Sequence, residues 1–204
     1  MTVDSHEVSF PGKCPSPSTY KCFVSPHVFV ASSFVTDSVG GANGSIRGGA
    51  RLDGRGGLVL DGRDDYVDLP NGLISSLNSA TFMVWVTWYD GRVCWQRIFD
   101  FGSTVQGEDI VGDATSNVFV TPLDCPGPGP NAMFGSRFDG VYTEVDIRGP
   151  VPFTTNVEHQ VALVVHGDTR LMQLYIDAQS HGEVTLRIGF DGISDVNNWL
   201  GRSQ

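Results

Sequence analysis

The strongest constraint on the fold is an alternation of apolar and polar residues that repeats every two positions. In YTEVDIR (142–148), Val145 and Ile147 alternate with charged side chains, and LMQLYID (171–177) and VTLRIGF (184–190) repeat the pattern. Successive side chains of a β-strand point to opposite faces of the sheet, so this period is typical of strands with one buried face.

Short apolar runs bounded by Gly, Pro, Asn or Asp predict about a dozen strands. The candidates are 26–31, 57–61, 65–69, 81–89, 95–101, 117–121, 132–138, 142–148, 160–166, 171–177, 184–190 and 198–201. TFMVWVTWY (81–89) is apolar on both faces, which predicts a central strand covered on both sides. No segment carries a helical stripe, and only 72–78 has room for one short turn of helix. We therefore expect an all-β fold of two packed antiparallel sheets.

Residues 58–70, LVLDGRDDYVDLP, place four aspartates within eight positions. Apolar residues alternate on both sides of the acidic stretch, so we interpret the segment as a β-hairpin. Asp61, Asp64 and Asp65 then form the turn, where Asp and Gly tolerate positive φ or bond their own backbone. Asp68 lies on the outer face of the second strand. The cluster is a structural turn, with at most a rim role in binding a cation.

Charge and hydropathy exclude several classes of partner. The 204 residues include 13 basic and 23 acidic side chains, for a net charge of -10. Nucleic acids and anionic membrane surfaces attract basic proteins, so neither is an expected partner. The chain has no apolar run of the roughly 18 residues that a membrane span needs. Its start, MTVDSHEVSFPGK, is no signal peptide, so we expect a mature form or a fragment of a secreted protein.

The four cysteines indicate an oxidising compartment. Cys14 and Cys22 enclose a short Pro/Ser-rich loop, while Cys94 and Cys125 lie in the body of the chain. Their spacing fits no zinc site. Three pairings are possible, and we favour Cys14–Cys22 with Cys94–Cys125 over free thiols. An even number of cysteines in an acidic, strand-rich chain predicts an extracellular or secretory-lumenal protein.

Several segments resemble laminin-G-like domains, which are jelly-roll sandwiches of the concanavalin A-like superfamily. The resemblance lies in FVTDSVGGANGSIRGGARL, GGLVLDGRDDYVDLP, TFMVWVTWYDG, WQRIFDFG, EHQVALVVHGDTRLMQLYIDA and NNWLGRSQ. These segments occur in the family's order over about residues 28–204. The resemblance implies a jelly-roll domain over 25–204, preceded by an N-terminal arm over 1–24 that carries the Cys14–Cys22 loop.

The chain departs from the family at three points. Glu158 stands where the family has Trp, and the pair Cys94 and Cys125 is unusual for it. The family also continues past "GRS" into a last strand with an Asp-Glu pair, which this chain lacks after Gln204. We therefore expect either the arm, over 6–24, or a larger chain or partner to complete the sandwich.

EVDI (144–147) invites comparison with jelly-roll glucanases, whose catalytic strand carries a second Glu. Here Arg148 follows, and no second Glu is present. Glu144 and Asp146 therefore lack the acid that a retaining glycosidase needs. We predict that they form a polar outer face with Arg148 as charge partner, and that the protein is not an enzyme. No catalytic residue is assigned.

The resemblance also implies a structural Ca²⁺ site at a rim of the sandwich. Asp37 matches the family's aspartate, and Asn43 lies across a Gly-rich turn whose carbonyls suit a hard cation. A second candidate is the loop with Glu108, Asp109 and Asp113. The alternative for either loop is a set of solvated turn acids.

Exposed aromatic residues can bind carbohydrate. The four tryptophans are Trp85, Trp88, Trp95 and Trp199. The resemblance places Trp95 and Trp199 in core motifs, while Trp85 and Trp88 fall on opposite faces of one strand. We expect at least two of the four to be packed, and the sequence does not say which aromatic residue is exposed.

His159 precedes "VAL" as in the family, which indicates a structural histidine rather than a base. We therefore expect a non-catalytic recognition or adhesion module that binds carbohydrate or protein. Two alternatives stay open: a structural subunit completed by a partner strand, and a glycan-active enzyme domain.

Overall fold

A computed structural model describes residues 2–4, 33–89, 93–125, 127, 129–138, 141–149 and 153–204. Within these residues the chain forms strands and one 3-10 turn, Phe190–Gly192. In chain order the strands are β1 (Thr2–Asp4), β2 (Phe34–Val35), β3 (Gly44–Arg47), β4 (Arg51–Leu52), β5 (Leu58–Val59), β6 (Tyr66–Leu69), β7 (Ala80–Thr87), β8 (Phe99–Thr104), β9 (Ala114–Thr121), β10 (Asn131–Phe138), β11 (Val141–Arg148), β12 (Glu158–His166), β13 (Leu171–Ile176), β14 (Gln179–Thr185) and β15 (Asn197–Leu200). The predicted all-β class is confirmed.

The strands form two antiparallel sheets that pack as a jelly-roll sandwich. Sheet A has the order β14-β13-β12-β7-β1-β5-β4, and sheet B has the order β11-β10-β9-β8-β15-β6-β3-β2. Strands that are neighbours in a sheet are often distant in sequence, as in the pair β8 and β15. This long-range pairing is typical of sandwich folds.

The core lies between the sheets and follows the alternation seen in the sequence. On β13, Met172, Leu174 and Ile176 are buried, whereas the residues between them are only partly covered. Val161 on β12 and Val86 on β7 extend the same cluster. Full burial of an aliphatic side chain contributes about 1.5–3 kcal/mol, so these positions fix which face of each strand points inward.

The stretch 58–70 is not a hairpin, and that prediction is wrong. β5 belongs to sheet A and β6 to sheet B, so the acidic turn carries the chain from one sheet to the other. Asp61 and Asp64 are exposed, as expected of turn residues, but Asp65 is buried. Its carboxylate accepts hydrogen bonds from the Gly49 N–H at 2.5 Å and the Asp61 N–H at 2.9 Å. Asp65 therefore holds two loops together where the chain changes sheets.

Four other local predictions differ from the structure. β8 begins at Phe99 instead of residue 95, because Trp95 adopts φ 64° in a turn. β14 ends at Thr185, so the expected strand over 184–190 is mostly a loop. Residues 72–78 form hydrogen-bonded turns without a helix. β7 is central in sheet A, but its outer face is open to solvent, where Met83 is 54% exposed.

The N-terminal residues of the chain take a position inside sheet A. β1 pairs with β5 on one side and with β7 on the other. The described part of sheet A is thus continuous from β7 through β1 to β5, and completion of the sandwich by residues 6–24 or by a partner stays a prediction. Residues 5–32 are outside the described residues, and they include the Cys14–Cys22 loop, nearly all of the predicted arm and the candidate strand 26–31.

Candidate functional site

The outer face of sheet B, which points away from the core, carries several of the buried polar groups of the described residues, among them Asp100, Asn117 and Asn131. Strand register aligns Asp146, Met133, Phe119, Asp100 and Trp199 in one row across five neighbouring strands. All but Asp146 are buried, although no third sheet packs on them in the described structure. Loops and the last residues of the chain cover this face instead.

Over Phe119, in the middle of this row, an aromatic surface is partly open to solvent. We call Trp95, Arg97 and Phe119 the Trp95 platform. The Trp95 and Phe119 rings meet edge to face with centroids 6.4 Å apart. The Arg97 guanidinium lies 3.7 Å above the Phe119 ring centroid and 5.7 Å from that of Trp95. Phe119 is buried beneath, whereas Trp95 is 36% exposed.

The backbone fixes the orientation of Trp95. Its N–H donates to the Leu123 carbonyl at 2.9 Å, and its own carbonyl accepts from Arg97 Nη1 at 2.8 Å. The positive φ of Trp95 turns the chain away from the line of β8 and lifts the indole onto the sheet face. A non-glycine residue in this conformation persists only when its surroundings hold it there.

Asp100 anchors the platform from within the sheet. Its fully buried carboxylate accepts from Arg97 Nε at 3.0 Å, from Asn117 Nδ2 at 3.1 Å and from the Gln204 N–H at 3.2 Å. Burial raises the pKa of Asp100, while the Arg97 charge and these hydrogen bonds oppose the rise. Arg97 is therefore held by a buried ion pair beneath its contact with the rings.

Next to the platform lies a compact set of polar side chains, which we call the Asp124 cluster: Asp124, Asn131, Asp146 and Arg148. Arg148 Nε lies 3.3 Å from Asp124 Oδ2 and also contacts Asp146 Oδ2. Asn131 Nδ2 donates to Asp124 Oδ2 at 3.1 Å and to Asp146 Oδ2 at 3.2 Å. The predicted charge partner, Arg148, thus forms ion pairs with both Asp146 and Asp124.

Glu144 lies beside this cluster on the exposed edge of the same face. Strand alternation places it two residues from Asp146 on β11, where it is exposed. Partial burial raises its pKa most, and the negative charges of Asp146 and Asp124 raise it further, against the opposing effect of Arg148. Glu144 is therefore an exposed carboxyl group at the rim of the site.

A disulfide joins the platform to the cluster. Cys94 and Cys125 are bonded, with Cα atoms 5.7 Å apart. Cys94 directly precedes Trp95, and Cys125 directly follows Asp124. The predicted Cys94–Cys125 pairing is confirmed, and it links covalently the two segments that build the site.

The residues predicted to bind calcium lie elsewhere, in the loop after β2. Asp37 is buried, and its carboxylate accepts from the N–H groups of Val39, Gly40 and Ala42 at 2.9–3.0 Å. Asn43 Oδ1 accepts from the Asp37 N–H at 2.9 Å. The side-chain oxygens of Asp37 and Asn43 that calcium would need as ligands thus accept hydrogen bonds from backbone N–H groups. The Asp37 and Asn43 assignment stays a prediction.

The second calcium candidate is spread along the β8–β9 loop. Glu108 accepts from Asn71 Nδ2 at 2.7 Å, and the Asp109 N–H donates to Asn197 Oδ1 at 2.7 Å. Asp113 is exposed farther along the loop. A tighter acidic group occurs in the turn between the sheets, where oxygens of Asp61, Asp64 and Asp65 lie within 4.8 Å of one another. Asp65 is the buried member of this group, and its carboxylate already accepts hydrogen bonds from two backbone N–H groups.

The four tryptophans have different environments. Trp88 and Trp199 are buried, and Trp88 Nε1 donates to Gln96 Oε1 at 2.6 Å. Trp199 is covered by Arg202, whose guanidinium lies 4.3 Å from the ring centroid. Trp85 is half-buried on the outer face of sheet A. Trp95 is the most exposed, so its expected place in the core is wrong.

His159 has the structural environment that the sequence indicates. Its Nδ1 lies 2.7 Å from Asp177 Oδ2, and its ring stacks on Phe153 with centroids 4.9 Å apart. It is on the other sheet from the Asp124 cluster.

Among the described residues, no helix is long and apolar enough to cross a membrane.

Comparison with solved structures shows the fold. Domain 4 of AbnA, a GH43 extracellular arabinanase from Geobacillus stearothermophilus solved with arabinotriose, is 22% identical, with a TM-score of 0.62 over 81% of this chain and 77% of that one. The CBM40 of a Ruminococcus gnavus IT-sialidase, bound to α2,3-sialyllactose, is 14% identical, with a TM-score of 0.47 over 64% and 66% of the two chains. The carbohydrate-binding module CBM66 from Bacillus subtilis is 15% identical, with a TM-score of 0.44 over 77% and 85%.

Among curated proteins, no sequence matches this chain. Residues 61–204 match a laminin-G-like family model, described as the concanavalin A-like lectin/glucanases superfamily. The match covers most of both sheets and the whole of the site described above. The chain therefore belongs to the laminin-G-like family of the concanavalin A-like lectin/glucanases superfamily.

Proposed function

We propose that this protein is a non-catalytic carbohydrate-binding module and that the Trp95 platform is its contact surface. The observation that carries the proposal is a partly exposed indole fixed on a sheet face beside hydrogen-bonding carboxylates. Binding sites for small molecules combine apolar or aromatic surface with a few placed polar groups, and this end of sheet B supplies both.

The platform suits the apolar face of a sugar ring. An aromatic side chain offers a large rigid surface at a low entropy cost, because only two torsions must be fixed. Arg97 and Phe119 already fix the Trp95 ring in the free protein, so little ordering remains for the ligand to impose.

The carboxylates beside the platform suit sugar hydroxyl groups. An ionised carboxylate accepts hydrogen bonds and cannot donate them, whereas each hydroxyl can donate one. Glu144 is exposed, and Asp146 is partly exposed in the same face. A saccharide that stacks on Trp95 can extend toward these acceptors along the row of sheet B.

Two further observations support the proposal. The Cys94–Cys125 disulfide is typical of proteins from oxidising compartments, where extracellular glycans are met. The structure most similar in fold, among those compared above, was solved with arabinotriose. Because fold alone does not decide a ligand, that likeness only suggests arabino-oligosaccharides as the first compounds to test.

A glycan-active enzyme is the second candidate, since one observation favours it. Glu144 has a raised pKa and lies near Asp146, and a carboxylic acid with a raised pKa is what a glycosidase uses as its general acid. Against this, Arg148 and Asn131 hold Asp146 in an ion pair and a hydrogen bond. We propose that both acids serve binding.

The test is a panel of oligosaccharides, beginning with arabino-oligosaccharides, measured by calorimetry with the whole chain. We expect Trp95→Ala to weaken binding at least about tenfold, because the stacking surface is lost. Met83→Ala on the outer face of sheet A is the matched control and should bind normally. Equal affinity of Trp95→Ala and the unchanged protein would rule out the platform as the site.

The same panel separates the enzyme alternative. We expect no release of new reducing ends from any glycan that binds. Steady release that disappears in Glu144→Gln would instead identify the protein as a glycan-cleaving enzyme.

A further inference from the structure

We propose that the Cys94–Cys125 disulfide controls the affinity of the Trp95 platform, so that the protein binds its ligand in the oxidised form and loses affinity on reduction. The inference rests on the proposed carbohydrate site and adds a redox dependence to it. Four features of the structure support it: the position of the bond, the contacts it shares, its accessibility and the conformation it maintains.

The first feature is position. One cysteine is bonded directly to the residue that forms the exposed surface, Trp95, and the other to Asp124 of the neighbouring cluster. Each cysteine is thus adjacent in sequence to a residue of the site. A change in the bond is therefore transmitted to both halves of the site at once.

The second feature is the small number of other contacts between the two segments. Trp95 N–H donates to the carbonyl of Leu123, two residues before Cys125. The other recorded contacts of Asp124 are to Asn131, Arg148 and the Gly129 carbonyl, none of which belongs to the platform. Two direct links join residues 94–95 to residues 123–125 in the described part of the chain: the disulfide and this backbone hydrogen bond.

The third feature is access. Cys125 is exposed and Cys94 is half-buried, so a small dithiol can reach the bond. A thiolate of the dithiol attacks one sulfur and breaks the Sγ–Sγ bond. The second thiol then completes the exchange, which leaves two cysteine thiols and the cyclic disulfide of the reagent. Two electrons and two protons pass from the dithiol to the protein.

The fourth feature is the backbone of Trp95, which has φ 64°. A bulky residue adopts this conformation only when the surrounding structure holds it there. When the bond to Cys125 is broken, the constraint on the adjacent residue is reduced, and Trp95 can leave its position on Phe119. The ligand must then order the ring itself, which lowers the affinity.

The experiment compares the oxidised protein, the dithiol-reduced protein and Cys94→Ser/Cys125→Ser. Calorimetry with the best oligosaccharide of the panel should show roughly three- to tenfold weaker binding for the last two, consistent with the ordering cost of one or two side chains. Reoxidation should restore the affinity. Cys14→Ser/Cys22→Ser, which keeps the Cys94–Cys125 pair, is the matched control and should bind as the oxidised protein does.

A second measurement does not depend on any ligand. Hydrogen exchange of the Trp95 amide, which bonds to Leu123, should accelerate on reduction at least about tenfold more than that of the Ile98 amide, which bonds to Val120. Using the ratio of the two amides removes any change in global stability. If the double variant fails to fold, brief reduction of the native protein gives the same comparison.

The two measurements have distinct outcomes. If no glycan binds, the proposed function fails. The exchange ratio alone then tests whether the disulfide constrains the backbone at Trp95. If glycan binds equally to oxidised and reduced protein, or the two amides accelerate together, the redox dependence is overturned while the carbohydrate site stands.

Discussion

Glu144 and Asp146 show how two acids on the same strand face acquire different roles. Asp146 shares the guanidinium of Arg148 with Asp124 and also accepts from Asn131. Glu144 has no such partner among the ion pairs of the described residues, and its pKa is raised by burial and by Asp146 and Asp124. The difference arises because Arg148 is two residues from Asp146 and four from Glu144.

This arrangement predicts a pH-dependent stability. The pKa of Glu144 in the folded state lies above its ordinary value of 4.5, so at pH values between the two the folded protein holds a proton that the unfolded chain has released. The contribution to stability is complete below the unfolded pKa and is lost as the pH rises through the folded pKa. We therefore expect Glu144→Gln to raise the melting temperature at pH 7 by a small amount and to lose this advantage near pH 4.

Thermal melts of the two proteins across this range give the measurement. Glu183→Gln, which removes an exposed carboxylate from sheet A, controls for the general effect of one less negative charge. A Glu144→Gln advantage that persists undiminished at pH 4 would contradict the assigned cause.

At the residue scale the sequence named Trp95 as a candidate aromatic but could not select it. A strand was expected over 95–101, and the family resemblance placed Trp95 in a core motif. The outcome is set by the positive φ of Trp95 and by contacts to Leu123 and Phe119, which are distant in sequence. Only the cysteine next to it hinted at a constrained segment.

At the element scale, β1 is a three-residue strand held on both sides within sheet A. Thr2 and Val3 align with β5, and the same residues with Asp4 align with β7. Without β1, the facing edges of β5 and β7 would expose unpaired backbone donors and acceptors. A short strand in a central position can therefore contribute more than its length suggests.

Deletion of residues 1–4 should lower the melting temperature by about 5–10 °C, since several backbone hydrogen bonds are lost at about 0.5–1.5 kcal/mol each. Val3→Pro should reproduce part of the loss, because proline lacks the N–H, whereas Val3→Ala keeps the donor. Differential scanning calorimetry measures all three. An unchanged melting temperature after the deletion would show that β1 contributes nothing to sheet A.

Element prediction succeeded where one strand face is buried and failed where the pairing partner mattered. The period of two located β13 and β11 because it depends only on which residues point inward. The same period on both sides of the turn after Leu60 suggested a hairpin, yet β5 and β6 lie in different sheets. Alternation reports the direction of side chains and carries no information about which sheet a strand joins.

At the scale of the whole molecule, sheet A and sheet B present different outer faces. The outer face of sheet A is open around Met83. That of sheet B is covered in its middle, but it is open near Trp95 and Glu144 and also along β2 and β3, where Phe34 and Arg47 are exposed. The net charge of -10 leaves the protein unsuited to polyanions, and a neutral saccharide meets no such repulsion. The part of sheet B around Trp95 and Glu144 is the surface that we propose for a glycan.

The overall fold was predictable because strand patterning and family-like segments extend over most of the chain. The site was predictable only as a set of residue types: Trp95, Glu144, Asp146 and the cysteines were all singled out from the sequence. Their meeting on one face depends on the register of β8 to β11, which sets Phe119 beside Asp100 and Met133 beside Asp146. Local sequence does not determine such long-range registers.

The most direct test of the carbohydrate site is a backbone amide NMR titration of the whole, oxidised protein with the tightest-binding oligosaccharide of the panel. We expect the largest shifts at Trp95 and at neighbouring amides of β9 to β11, including Phe119 and Glu144, with β12 to β14 of sheet A unchanged. Shifts concentrated on the outer face of sheet A, or in the loop around Asp37, would contradict the assignment of the Trp95 platform as the binding surface.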